Sequence, residues 1–316
     1  MRLSVFVRIL ALGLARAKLL SPVIKLFHHT DKRPSNDSEK VILVAERVVN
    51  SNPVISVISS LYKPVNISDF LDGAEAMEGK EHIEFVLMFV RASDEVVKES
   101  VQRIQSFPNV RIMRCEEDIS VYSAWNHCIR YSQAELICNS NLDDHKSPSL
   151  VTRQIAFMES NPDVDVAYTD YLETVRSDSS SDVFTTSEVK VVDQSLCMLV
   201  FYGKNYPHAS PVWRRRLHDD LGLFNESFIS SGDTEFWLRC LLAGKIFRRI
   251  PGPPGYSYFR NPNGLSTRKG TRGSLEWAIA LETWSSQIYQ ALFTRQNLKK
   301  CSSRDWQFEQ NPQYRE

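Results

Sequence analysis

The stretch PVISVISSLYKP, residues 53–64, decides the class of fold. Its centre, VISVIS, is a largely β-branched apolar run that Lys63 and Pro64 end, as expected for a buried parallel strand. A helical pattern, ISDFLDGAEAM, follows it, and IEFVLMFV at residues 83–90 predicts a second buried strand. The globular part of the chain therefore opens as strand, helix and strand.

The alternation of strands and helices continues along the chain. Three more strands are predicted at VRIMRC, ELIC and DVAYTDYLET, residues 110–115, 135–138 and 165–174. Helical patterns separate them, and Ser93 and Ser120 are the predicted N-caps of two of these helices. This order is typical of a doubly wound α/β fold, so we expect an open, mostly parallel sheet with flanking helices. Ligands of such sheets bind beyond the carboxyl ends of the strands.

Composition narrows the class of function and the compartment. The chain has 316 residues, enough for one large domain or two small ones. Lys plus Arg and Asp plus Glu both number 38, and this balance argues against a dedicated nucleic-acid-binding protein. The six cysteines form no C-x-x-C pair and no zinc-ligand spacing, which favours a reducing, cytoplasmic location.

The N-terminal segment, residues 1–28, combines apolar residues with basic ones. Arg8, Arg16 and Lys18 interrupt the apolar run, so it is a poor candidate for a membrane span. Two interpretations stay open: a helix on the cytoplasmic face of an anionic membrane, or a helix that packs on protein. Residues 30–40, TDKRPSNDSEK, have the composition of a linker.

Two adjacent carboxylates, Asp143 and Asp144, follow the predicted strand ELIC in the stretch CNSNLDDHKSP. Carboxylates at this edge of a sheet suit a hard divalent cation. An Asp in a strand-to-helix turn also forms Asx-turns and caps, but such a turn needs only one of the pair. Asp233, in SGDTEFWLRCLLAG, has two interpretations as well: a catalytic base, or an acid that stabilises a helix N-terminus.

Three segments in this order resemble a family 2 glycosyltransferase of the inverting GT-A type. They are PVISVISSLYKPV, VYSAWNHCIRYSQAELICNSNLDDHKSP and HASPVWRRRLHDDLGLFNESFISSGDTEFWLRCLLAG, and the resemblance spans roughly residues 53–268. It implies a Rossmann-like GT-A domain at 41–270, after an extension and linker at 1–40 and before a C-terminal helix and polar tail at 271–316. It also implies transfer of a sugar, with inversion, from a nucleotide-sugar to a hydroxyl of a cell-surface glycan or lipid-linked acceptor.

The resemblance gives roles to particular residues. It makes Asp144 the ligand of a Mg²⁺ or Mn²⁺ ion, Asp143 a contact to ribose or donor sugar, and Asp233 the base. Tyr62 would lie near the nucleobase, and Arg260 would contact phosphate. Three residues are predicted on the acceptor side: Trp213, Trp237 and Glu235.

One position departs from the family. The second strand usually ends in an acid that contacts the nucleoside, but here Phe89 and Val90 stand at that point. Asp94 could replace the missing contact. The alternative is a non-catalytic binding or assembly subunit that no longer binds the donor tightly. A nucleotidyltransferase is a weaker alternative because SSLYKPV lacks the glycines of a triphosphate-binding loop.

Overall fold

The computed structural model describes residues 40–49, 52–65, 67–104, 107–176, 184–208 and 210–293. The predicted membrane-surface segment and linker, and the polar tail after residue 293, lie outside the described residues. No helix among those that are described is both long and apolar enough to cross a membrane.

The described residues contain twelve strands. Their bounds are β1 Val41–Val48, β2 Ile55–Tyr62, β3 Ile83–Val90, β4 Asn109–Cys115, β5 Leu136–Asn139, β6 His145–Lys146, β7 Val166–Tyr168, β8 Tyr171–Arg176, β9 Phe184–Val189, β10 Val212–Arg214, β11 Phe247–Arg249 and β12 Tyr256–Phe259. Eight of them form the main sheet in the order β1-β4-β3-β2-β5-β10-β7-β11. The order shows that the strands predicted first in the chain lie at the centre of the sheet.

The four central strands of the main sheet, all predicted from the sequence, pair with one another in parallel. β4, β3, β2 and β5 are mutually parallel neighbours, whereas β1 and β10 run antiparallel to theirs. Every residue of β3 is buried, Glu84 included, as its largely apolar sequence predicts for a strand covered on both faces. The predicted open, mostly parallel α/β sheet is therefore confirmed.

Nine helices of the described chain connect the strands. Their bounds are α1 Ser68–Glu75, α2 Asp94–Arg103, α3 Val121–Tyr131, α4 Leu150–Ser160, α5 Leu196–Tyr202, α6 Arg216–Leu221, α7 Gly232–Leu242, α8 Gly273–Thr283 and α9 Ser285–Phe293. The two predicted N-caps are confirmed, because Ser93 accepts a hydrogen bond from Val96 N and Ser120 accepts one from Ser123 N.

A second sheet of four strands, in the order β6-β12-β8-β9, lies next to the acidic stretch. β6 begins directly after Asp144 and pairs with β12, so it brings the late part of the chain to the double Asp. The stretch 165–174, predicted as one strand, is two: β7 belongs to the main sheet and β8 to the second. Between them the buried carboxylate of Asp170 accepts hydrogen bonds from Arg249 and from Val191 N, which fixes the turn.

Candidate active site

The two carboxylates of the acidic loop after β5 differ in their exposure to solvent. Asp143 is exposed, and its Oδ2 accepts a long hydrogen bond of 3.5 Å from Asn261 Nδ2. Asp144 is buried, and its Oδ2 accepts hydrogen bonds from Tyr256 Oη and Asn141 Nδ2, both at 2.8 Å. Its Oδ1 accepts one bond, from Phe259 N at 2.8 Å. Asp144 therefore holds β12 against the loop and keeps acceptor capacity at Oδ1.

The two carboxylates fit a cation that is held jointly with a phosphate ligand. Among the described residues no group of three His, Cys, Asp or Glu side chains is placed to hold a metal ion. Mg²⁺-type sites commonly use one or two carboxylates and complete their shell with substrate phosphates and water. Burial raises the pKa of Asp144, against the lowering effect of its hydrogen bonds, because its negative charge loses hydration. A bound cation would offset that loss.

The second acid, Asp233, lies in the first turn of α7. Its Oδ1 accepts a hydrogen bond from Tyr122 Oη at 3.0 Å, and its Oδ2 accepts one from Asn205 Nδ2 at 2.9 Å. Burial, and then the charge of Asp233, raise the pKa of Tyr122 well above its usual value, so the phenol stays a neutral donor. The carboxylate is thus fixed by two donors from other parts of the chain.

Gly232 provides the space that this arrangement needs. A Cβ at this position would lie 2.6 Å from Cδ2 of the Tyr122 ring. The ring of Tyr122 fills the space beside this glycine. Any larger residue at 232 would push the phenol away from Asp233.

One short segment, residues 205–208, links the two acid sites. Asn205 donates to Asp233, and the ring of His208 lies 4.8 Å from the ring of Tyr258, edge to face. Tyr258 belongs to β12, whose Tyr256 and Phe259 donate to Asp144. A chain of side-chain contacts therefore connects the double Asp with the candidate base.

A third group of polar side chains lies at the carboxyl ends of β2, β3 and β4. Asp118, three residues after β4, accepts hydrogen bonds from Tyr62 Oη and Arg91 Nη1, each at 2.8 Å. Lys63 Nζ lies 3.9 Å from the same carboxylate. The hydrogen bond from Tyr62 is the largest cause of a lowered pKa of Asp118, and Arg91 and Lys63 add to it. The carboxylate is therefore charged over the ordinary pH range.

Sequence and structure comparisons bear on this arrangement. Residues 80–204 match the family model described as "Glycosyl transferase family 2". That match confirms the resemblance. None of the curated proteins compared with the chain matches it significantly.

Solved structures share the fold at low sequence identity. S. aureus TarS 1-349 in complex with UDP-GlcNAc has a TM-score of 0.58 and 14% identity, over 82% of this chain and 77% of that one. TarS 1-349 in complex with UDP gives 0.57 and 16%, over 79% and 72%. A third TarS structure gives 0.56 and 15% over 82% of this chain, which spans only 46% of that longer chain. The predicted GT-A fold is confirmed.

The three predicted acceptor-side residues lie inside the protein. Trp213 and Trp237 are 0% and 1% exposed, and their rings meet edge to face at 5.7 Å. Glu235 is buried too and accepts hydrogen bonds from Arg239 Nε and Trp284 Nε1. Their acceptor-side role stays a prediction, and it would act through packing beneath Asp233 rather than by direct contact.

Two residues that were predicted to contact the nucleotide-sugar donor form ion pairs with neighbouring side chains instead. Asp94 is exposed and pairs with Arg114, away from Tyr62. Arg260 is exposed and pairs with Glu173 of β8. Phe89 is fully buried and contributes no polar group. The structure thus brings Tyr62 together with Asp118, which the sequence did not single out, rather than with Asp94.

Three residues of this region escaped sequence reasoning: Asp118, Tyr122 and Asn205. Asp118 had a readable signal, because it follows a predicted strand at the same sheet edge as Tyr62. Tyr122 and Asn205 had none, since their contacts with Asp233 span 111 and 28 positions of the chain.

His218, next to Trp213, should make stability depend on pH. Its Nε2 accepts a hydrogen bond from Trp213 Nε1 at 2.9 Å, and its ring stacks on Phe236 at 4.6 Å. Burial lowers the pKa of His218 to about 4. The unfolded imidazole takes up its proton near its ordinary pKa, so acidification favours the unfolded state. The stability is present at neutral pH and is lost as the pH falls toward the folded value.

The expected size follows from that shift. Between about pH 7.5 and pH 5 the native protein should lose about 2 kcal/mol of unfolding free energy through this group. Urea unfolding at the two pH values measures it, and His218→Gln should remove most of the difference. His82, whose side chain is 53% exposed, gives the control His82→Gln. An unchanged pH dependence in His218→Gln would contradict the assignment.

Proposed function

We propose that this protein transfers a sugar from a nucleotide-sugar donor to a hydroxyl acceptor, with inversion at the anomeric carbon. The observation that carries the proposal is the chain of contacts that joins the double Asp to Asp233 through residues 205–208 and β12. A donor whose diphosphate lies at Asp143 and Asp144 would direct its sugar toward Asp233. The match of residues 80–204, which include both Asp143 and Asp144, to glycosyl transferase family 2 supports a nucleotide-sugar donor at the double Asp.

The residues present can perform the chemistry of an inverting transfer. Such a transfer needs one base that takes the proton of the acceptor hydroxyl while the hydroxyl oxygen attacks the anomeric carbon. Asp233 supplies a carboxylate that Tyr122 and Asn205 hold in place, and each of its oxygens can still accept a further hydrogen bond. A Mg²⁺ or Mn²⁺ ion at Asp143 and Asp144 would neutralise the charge of the departing diphosphate.

The proposal extends to the donor, the acceptor and the location of the protein. TarS, which shares the fold, is described in complexes with UDP-GlcNAc and UDP, so uridine diphosphate sugars are the first donors to test. A cell-surface glycan or a lipid-linked sugar is the proposed acceptor. Residues 1–28 would hold the enzyme on the cytoplasmic face of a membrane. A protein without residues 1–28 that still sediments with membranes would contradict this role of the segment.

The test is release of nucleoside diphosphate from a panel of nucleotide-sugars with Mn²⁺. We expect slow hydrolysis of one donor class, and its loss when EDTA removes the cation. Thermal stabilisation by the same nucleoside diphosphate should also require the cation. The proposal would be contradicted if no donor in the panel were hydrolysed and no nucleoside diphosphate stabilised the protein.

That negative outcome would favour a non-catalytic binding or assembly subunit. The observation on its side is Phe89, which is fully buried where the family commonly has an acid for the nucleoside. A buried phenyl ring cannot replace a carboxylate that accepts hydrogen bonds. Nucleotide binding therefore distinguishes the two functions: we expect it for the glycosyltransferase and not for the non-catalytic subunit.

A further inference from the structure

A buried carboxylate on α8, Glu276, holds the segment of chain that leads into the candidate base. Its side chain is 1% exposed. Its Oε1 accepts a hydrogen bond from Ile229 N at 2.9 Å, and its Oε2 accepts bonds from Ser230 N at 2.8 Å and Ser231 N at 2.9 Å. Three consecutive backbone N–H groups therefore donate to one carboxylate, across 45 to 47 positions of the chain.

These N–H groups belong to the residues directly before α7, whose first turn carries Asp233. Ser231 is the N-cap residue of α7, but its side chain makes no capping hydrogen bond to that helix. Its Oγ donates instead to Gly273 O, at the start of α8, at 3.0 Å. Helix N-termini are usually stabilised by a local cap. The entry into α7 is therefore fixed by α8 rather than by a local cap.

A carboxylate holds this segment more firmly than a neutral side chain would. Burial of a charged group costs hydration, and only several well-formed hydrogen bonds offset that loss. The three bonds to Glu276 meet this condition, and Arg272 Nε lies 4.0 Å from its Oε1. Hydrogen bonds to a charged acceptor are roughly twice as strong as neutral ones. Residues 229–231 are thus tied to α8 by strong contacts.

Two sets of contacts determine where Asp233 lies. Tyr122 and Asn205 hold its carboxylate, and Glu276 holds the backbone that precedes it. A base has to lie within hydrogen-bond reach of the proton that it takes. Misplacement of a reacting group by about 1 Å can lower a rate about 10²-fold. A displacement of residues 229–231 would therefore affect the reaction through Asp233.

We propose that Glu276 is a positioning residue for sugar transfer: by fixing residues 229–231, it aligns the carboxylate of Asp233 with the acceptor hydroxyl. Helix α8 lies outside the residues that match the family model, 80–204, and outside the predicted GT-A domain at 41–270. The inference makes this C-terminal helix part of the catalytic unit. It rests on the proposed function, because Asp233 is a base only in that function.

The experiment measures transfer and hydrolysis by the full-length Glu276→Gln protein, with Mn²⁺, UDP-sugars as donors and octyl glycosides as soluble lipid-linked acceptors. The amide has nearly the size of the carboxylate, but its N–H₂ group would face backbone N–H donors. We expect kcat for transfer to fall about tenfold or more, with donor KM and the hydrolysis rate within about twofold of the native values. A loss of folded protein alone would lower transfer and hydrolysis by the same factor.

Glu84→Gln is the matched control. Glu84 is also 1% exposed, and its Oε2 accepts hydrogen bonds from Ser56 Oγ and Gln133 N. It lies at the amino end of β3, at the opposite end of the strand from the edge where ligands of such sheets bind. The control should lose stability and keep the native ratio of transfer to hydrolysis. An equal fall of that ratio in both variants would overturn the inference.

The Asp233→Asn background shows whether Glu276 acts through the base. Coupled residues are not additive, so Glu276→Gln in this background should change transfer by less than about twofold. A further loss of about tenfold there would show that Glu276 acts independently of Asp233, against the inference.

Gly273→Ala decides the matter if Glu276→Gln does not fold. A Cβ at this position would lie 3.1 Å from Ser230 Oγ and displace the segment slightly, whereas alanine favours the helix. The melting temperature should therefore not fall, and the ratio of transfer to hydrolysis should fall about twofold or more. A native ratio in this variant would contradict the positioning role.

The failures of the two proposals can be told apart. If Asp233→Asn loses transfer while Glu276→Gln keeps the native ratio, only the role of Glu276 is overturned. A native protein that neither hydrolyses nor transfers from any donor overturns the proposed function and this inference together.

Discussion

Asp233→Asn should reduce sugar transfer to the acceptor by about 10²–10⁴-fold, the usual contribution of a general base. The amide has nearly the size of the carboxylate but cannot take a proton. Donor hydrolysis depends on the diphosphate site, so slow release of nucleoside diphosphate should persist. Initial rates of transfer and of hydrolysis, measured on the same preparation, give the comparison.

Tyr122→Phe should have a smaller effect than Asp233→Asn, because it alters the environment of the carboxylate without removing it. It removes the hydrogen bond to Asp233 Oδ1 and leaves Asn205 on Oδ2. A hydrogen bond to a charged group contributes about 1.5–3 kcal/mol, so kcat should fall about tenfold or more with little change in donor KM. Equal losses of transfer and hydrolysis in Asp233→Asn would show a structural acid at a helix N-terminus instead.

The parts of the fold that could be predicted from the sequence are those that depend on local patterns, such as apolar runs and helix caps. β2 and β3 are largely apolar because both faces of the central sheet are covered, and such runs are readable without tertiary information. Ser93 and Ser120 were readable for the same reason, since a cap acts within one turn. The double Asp could be placed at a strand end because the strand before it was clear.

Contacts between distant parts of the chain could not be read. β1 was missed because Val41–Val48 is a mostly exposed edge strand that is held by its pairing with β4. The stretch WRRRLHDDLG, residues 213–222, has a helical pattern, but its first two residues belong to β10, which inserts between β5 and β7. Pairing with β5 and β7 on both sides makes these residues a strand, although their local sequence favours a helix.

The candidate site shows the same limit at the level of single residues. The family resemblance predicted Trp213 and Trp237 on the acceptor side, and both are core side chains. Large aromatic residues near an active-site motif stabilise it from beneath as readily as they contact a ligand. The residues that do contact Asp233 come from α3 and from the segment before β10.

Asp144→Asn should abolish the cation-dependent part of donor hydrolysis, by about 10²-fold or more. Loss of the carboxylate removes charge stabilisation of several kcal/mol where the diphosphate leaves. The amide also places an N–H₂ group against donors from Phe259, Tyr256 or Asn141, so unfolding free energy should fall by about 1–3 kcal/mol. Hydrolysis rates across a Mn²⁺ titration, with urea unfolding beside them, measure both effects.

Tyr256→Phe separates the two roles of Asp144. It removes one hydrogen bond to Oδ2 and keeps the carboxylate, so it should lower stability and leave the Mn²⁺ dependence of hydrolysis intact. If Asp144 acts only by holding β12, both variants should lose hydrolysis in proportion to the stability that they lose. Asp143→Asn completes the comparison, because this exposed carboxylate has little internal structure to support. A loss of Mn²⁺ dependence in Asp143→Asn, with Asp144→Asn unchanged, would move the cation to Asp143.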